Sequence, residues 1–214
     1  MNVAVFLLVI VAFVMGFFKI QFITDNEARP GVDMFKFFTV QSNILAGIAC
    51  AVLAVYEILY SHGRINAIPE WVYLFKYVST IGVTLTMLTV VCFLGFIAPG
   101  GYFSLFINSN LFFHFVIPMI TLISFVLFEH TEELYFFETI TGLIHSFFYG
   151  IFYMVNAYSH MEGGAIPAEH NWYGFAYPNV LFSVITCVVM LAVTYGISVA
   201  IWALNRKVNI IKED

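Results

Sequence analysis

Phe35-Lys36-Phe37-Phe38-Thr39-Val40-Gln41-Ser42-Asn43, running straight into the apolar stretch Ile44 to Tyr56, decides how this chain is read. Thr39, Gln41, Ser42 and Asn43 put four hydrogen-bonding side chains into five positions, at the start of a segment long enough to enter a membrane. Polar groups in hydrocarbon are costly unless they find partners. A cluster this dense is either adhesive between helices or the beginning of a site.

The rest of the composition agrees with a membrane setting. Of 214 residues, 62% are hydrophobic and 10% charged, whereas a soluble domain carries about 25% charged residues. The net charge of −5 lies mostly outside the apolar runs. No basic cluster points to nucleic acid. Cys50, Cys92 and Cys187 fall in separate apolar runs, which reads as packing and not as a disulfide framework. The N-terminus is apolar from Val3 without a basic region or small-residue cleavage site, so a retained first helix is expected.

A spanning helix needs roughly 20 mostly apolar residues. Six segments meet that length: 2–23, 34–60, 71–97, 104–128, 134–157 and 177–204. They lack the short alternating runs of a membrane barrel. The expected fold is therefore all-α, a polytopic six-transmembrane-helix bundle forming a single domain over residues 1–214, without a convincing internal repeat. Arg206, Lys207, Lys212 and Arg64 on one side, against Arg29, Lys19 and Lys36 on the other, favour cytoplasmic termini. Six crossings also bring the starts of helices 2 and 4 and the end of helix 5 to the face that holds the polar loop 159–176.

Several residues there suit chemistry. Thr39, Ser42 and Asn43 share one helix face by their spacing of three and four; for Ser42 the plainer role is adhesion between helices. His114 stands one turn from Asn110 and one turn from Pro118, where the helix is expected to bend. An ionisable residue inside a span is a functional candidate by default, although a satisfied core histidine is the plainer alternative. His145, Tyr149, Tyr153, Asn156 and His160 form a polar stripe along helix 5, which must face the bundle interior or a wet cavity. His145 is placed to orient another group, to ligate, or to bond a tyrosine. Trp172 to Pro178 reads as an interfacial anchor and a helix start.

Phe37-Phe38-Thr39 opening helix 2, His114 with Pro118 in helix 4, and the Tyr177-Pro178 start of helix 6 resemble the androgen-induced family of six-helix membrane threonine hydrolases. The Phe-Thr-x-x-Ser-Asn signature is similar to that of its bacterial relatives. The resemblance follows the order of all six helices. It implies hydrolysis of lipid esters, specifically fatty acid esters of hydroxy fatty acids, with Thr39 as nucleophile, His114 as base and no cofactor. A threonine hydroxyl needs such a base to attack. On the expected helix ends, Thr39 lies ~6 Å deep and His114 ~14 Å deep at 1.5 Å per residue, a mismatch of ~8 Å. Asn43 and Asn110 are candidate oxyanion donors, and Lys36 or Arg29 could hold a lipid carboxylate. Two other classes stand beside this one. His114 with His145 could ligate haem, and His160, Glu162 and His170 could bind a metal. Alternatively the chain binds or transports a lipid without catalysis; ion-coupled transport is disfavoured because no charge falls in the middle of a span.

Overall fold

The computed structural model describes residues 1–23, 31–98, 100–129 and 134–213. Six helices account for most of them: α1 (Asn2–Phe17), α2 (Phe38–Ser61), α3 (Glu70–Ile97), α4 (Asn108–Phe128), α5 (Phe136–Ser159) and α6 (Val180–Glu213). Five of these, α2 to α6, are long and apolar enough to cross a membrane. α1 is apolar but has only 16 residues, below the usual spanning length.

The end of α1 differs from the expected residue 23 for a local reason. Lys19 adopts φ 53°, and the N–H groups of Lys19 and Ile20 turn back to the carbonyls of Gly16 and Met15. This pair of bonds around a left-handed residue is a Schellman stop. It overrides the apolar residues that follow. Short 3₁₀ turns, Gly31–Lys36 and Tyr102–Phe106, precede α2 and α4 and push both helix starts a few residues later than hydropathy suggests. At the other extreme α6 runs to Glu213 instead of 204, because a helix that leaves the membrane can continue in water.

α3 is the most buried of the long helices and packs on α2, α4, α5 and α6. α1 lies along α2 and α4, with Val5, Val9 and Ala12 against Val40, Cys50, Phe113 and Ile117. Gly47 makes that approach possible, since a Cβ there would lie 2.9 Å from Val9. A second core joins Phe38, Tyr77, Ile81, Phe125 and Ile201. α6 packs closely on the first turns of α5 (Phe136–Leu143) and much more sparsely on the remainder. The two helices therefore diverge toward the loop 159–179, and this divergence positions the site.

A polar centre stands at the opposite end of the bundle. Lys76, fully buried in α3, lies 3.5 Å from Glu129 Oε1 and donates to Asn2 Oδ1 and Cys50 Sγ, each at 2.8 Å. Ser124 also donates to Glu129 Oε1, at 2.9 Å. Asn205 of α6 donates to the backbone carbonyls of Phe125 and Glu129. Charges this deep are retained only when paired and hydrogen-bonded. Five helices thus meet at one ion pair.

Candidate functional site

Where α5 and α6 diverge, a cavity of about 270 Å³ opens between them and α3. Its walls are largely apolar, including Leu85, Val90, Ile151, Met190 and Leu191, and Thr39 stands among the lining residues. That volume is just below the roughly 300–1,000 Å³ of typical ligand pockets.

The loop 159–176 folds over the Thr39 end. Tyr149 of α5 donates to the carbonyl of Lys36 at 2.7 Å and accepts from Trp172 Nε1 at 3.0 Å. Tyr173 accepts from the Phe38 N–H at 3.0 Å and lines the cavity together with Thr39. Burial pushes the Tyr173 hydroxyl up from its ordinary value, so it stays protonated and remains a donor. Tyr153 bonds Asn171, and Asn156 donates to the carbonyl of His170 at 3.2 Å. The polar stripe of α5 faces this loop, and a one-turn repeat is what brings its hydroxyls and amide to one side.

Helix α4 carries His114 on a π-helical turn, Phe112–Val116, placed immediately before Pro118. Pro118 has no N–H for the carbonyl one turn back, and the wider turn absorbs that defect. His114 Nδ1 lies 2.6 Å from the carbonyl of Leu105. A carbonyl only accepts, so Nδ1 bears the hydrogen and the neutral ring keeps its lone pair on Nε2. The group that orients His114 is thus the backbone carbonyl of Leu105.

Asn43 links the two halves. Its Nδ2 donates to the carbonyl of Thr39 at 2.7 Å and to that of Phe113 at 3.0 Å. The backbones of Thr39 and of the residue preceding His114 therefore flank one amide, at one depth. Counted from the helix starts the offset remains five residues, Thr39 being second in α2 and His114 seventh in α4. The way the two helices are set against each other, with the Asn43 amide reaching both carbonyls, is what brings these backbones together. The two side chains are not hydrogen-bonded to each other among the described residues: Thr39 lines the cavity with Tyr173, and His114 meets Leu105. Both hydrogens of the Asn43 amide are spent on this clamp, which leaves none for an oxyanion.

The remaining expected residues separate. Ser42 bonds Thr86 of α3 at 3.1 Å, joining two helices. His145 stacks on Phe38 with ring centroids 4.6 Å apart, and its Nδ1 faces Gly82. Lys36 lies over Trp172 and donates to the carbonyl of Glu169 at 3.4 Å. Asn110 sits half-buried in the first turn of α4, beside the π-helical turn. Arg29 lies outside the described residues. His160 and His170 stack face to face at 3.6 Å, with each Nδ1 turned to Asn156. Among the described residues no group of three or more His, Cys, Asp or Glu side chains is arranged to hold a metal ion.

Sequence reasoning missed Tyr173 as a neighbour of Thr39 in the cavity wall, because its interfacial setting explained it well enough. It also missed the pairing of Lys76 with Glu129, although a lysine within an expected span is a signal in itself. No protein-family model, no curated protein and no solved structure matches this chain, so any function must be argued from the site's own geometry.

Proposed function

We propose that the protein is a membrane-embedded hydrolase of lipid esters, with Thr39 as nucleophile and His114 as general base. One observation carries the reading: a largely apolar cavity, opening where two spanning helices part, is lined in part by Thr39, whose backbone carbonyl shares the Asn43 amide with the turn bearing His114. Lipid enters laterally between α5 and α6 and lays an acyl chain along the apolar wall. Thr39 Oγ attacks the ester carbonyl carbon while its proton passes to His114 Nε2. The alkoxide leaves with that proton, and water then cleaves the acyl–Thr39 ester by the same route reversed. Tyr173, a protonated donor beside Thr39, takes the oxyanion role. His114 is not among the residues that line the cavity, so catalysis requires the Thr39 hydroxyl and His114 Nε2 to come together. By resemblance, the substrates are fatty acid esters of hydroxy fatty acids.

In the same reading α1 is the sixth crossing, supported by its packing along α2 and α4, and both termini are cytoplasmic.

A second reading, lipid binding without turnover, draws on a cavity lining that includes Thr39 but not His114. Hydrolysis of a fatty-acyl ester by the protein in nanodiscs separates the two. Thr39→Ala abolishes turnover, and His114→Ala lowers it by about 10²–10⁴-fold, the usual worth of a general base. Undiminished hydrolysis by Thr39→Ala removes it as the nucleophile; lipid binding with no hydrolysis by the wild type selects the second reading.

A further inference from the structure

Seven buried side-chain polar atoms have no hydrogen-bond partner among the described residues, and four of them, Glu129 Oε2, Thr121 Oγ1, Thr84 Oγ1 and Asn43 Oδ1, belong to α2, α3, α4 and the residue that ends α4. These four are not scattered. Lys76, Thr80 and Thr84 recur at every fourth position of α3; Thr121 and Ser124 lie one turn apart on α4, and Glu129, just past its end, is bonded to Ser124; all six are buried. Contacts between the helices fix their register. On the α2 side, Ser42 meets Thr86 at 3.1 Å and Cys50 meets Lys76 at 2.8 Å. On the α4 side, Lys76 meets Glu129 at 3.5 Å, and the rings of Tyr77 and Phe125 stand 5.5 Å apart. Counting along these antiparallel pairs puts Thr84 level with Asn43 on one side and with Thr121 on the other. Glu129 Oε2 therefore stands at one end of a polar column and Thr84, Thr121 and Asn43 gather at the other, by the clamp under Thr39, with the hydroxyls of Thr80 and Ser124 between them.

The spacing suits one small ligand. A helical turn advances ~5.4 Å, close to two hydrogen bonds of about 2.8 Å meeting at one water oxygen. Hydroxyl, carboxylate and amide oxygens supply the mixed donors and acceptors that buried water satisfies. Dry orphans at both ends of the column are costly, and three gathered at one level compound that cost.

We propose that α2, α3 and α4 enclose a file of bound water running from the Lys76–Glu129 pair to Asn43, on the side of Thr39 away from the lipid cavity. The use of that water, to cleave the acyl–Thr39 ester, rests on the hydrolase reading. Its presence does not. The file would keep the two reactants apart until they meet at Thr39, lipid arriving from the bilayer and water from the far face.

The test is hydroxyl-radical labelling of the full-length protein in nanodiscs, by X-ray radiolysis in ¹⁸O-water, compared with the double variant Thr84→Val, Thr121→Val. Phe125 is fully buried beside Thr121 and Ser124, and acquires ¹⁸O only from adjacent bound water. The expected result is labelling of Phe125 in the wild type and a several-fold loss in the double variant, with exposed His62, in the loop after α2, labelled equally in both. Absent labelling of Phe125, or labelling indifferent to the substitutions, overturns the proposal. Melting gives a second, independent sign. Valine matches threonine in shape, so relief of dry hydroxyls raises Tm and contradicts the file, whereas loss of water-bridged bonds leaves Tm the same or lower. Neither readout involves turnover, so both are independent of the Thr39→Ala result.

Discussion

Asn43 shows how one side chain can decide what its neighbours do. An isolated asparagine in a span reads as adhesive or as a donor to substrate, and the residue types alone do not choose between them. The geometry does, because each amide hydrogen goes to the carbonyl of a different helix. Thr39 was singled out by resemblance, and its place in the cavity wall with Tyr173 came only from tertiary structure. Ser42, read as adhesion between helices, bonds Thr86 across to α3. Lys76 is the instructive omission at this scale. Weighing only the middle of each span passed over a charge six residues into α3 whose partner lies more than fifty residues away. Removing one member of a buried ion pair leaves the other uncompensated, so Lys76→Met should destabilise the protein by about 3–5 kcal/mol. Combining it with Glu129→Leu should restore much of that loss. Equilibrium unfolding in mixed micelles measures both, and additive losses in the double variant would show that the charges are not coupled.

The helices themselves were legible because hydrocarbon demands long apolar runs with internally satisfied backbones. Their ends were less so. Hydropathy marks where the membrane stops; a Schellman turn at Lys19, 3₁₀ turns ahead of α2 and α4, and continuation of α6 to Glu213 are decided by backbone bonding and by water. Pro118 was read as a bend, and the structure answers with a π-helical turn that carries His114. That turn is a local cost held for position. Proline inside a helix costs ~3 kcal/mol or more, and part of that is recovered when it is removed. Pro118→Ala is therefore expected to keep or raise Tm while letting the turn relax to α-helix and swinging His114 away. Esterase activity should fall even as the protein becomes no less stable. Activity and Tm that both stay unchanged would mean the π turn does not set the histidine's place.

At the scale of the molecule, the bundle is tied at one end and open at the other. Lys76, Glu129, Asn2, Cys50 and Asn205 gather five helices at the terminal end, whereas α5 and α6 part toward the long loop and leave the cavity between them. Topology placed Thr39, Asn110, Asn156, His160 and His170 on one face from sequence alone, and the loop does fold back over α5 there. What sequence could not supply was depth, because uncertain helix ends of a few residues move a side chain by several ångströms. With both depths settled by the Asn43 clamp, the central claim reduces to whether Thr39 becomes acylated. Stopping turnover with a long-chain fluorophosphonate and mapping the adduct by tandem mass spectrometry answers it. The account predicts one phosphonylated site, at Thr39, lost in Thr39→Ala and strongly reduced in His114→Ala; an adduct on another residue, or labelling that persists unchanged in Thr39→Ala, would contradict it.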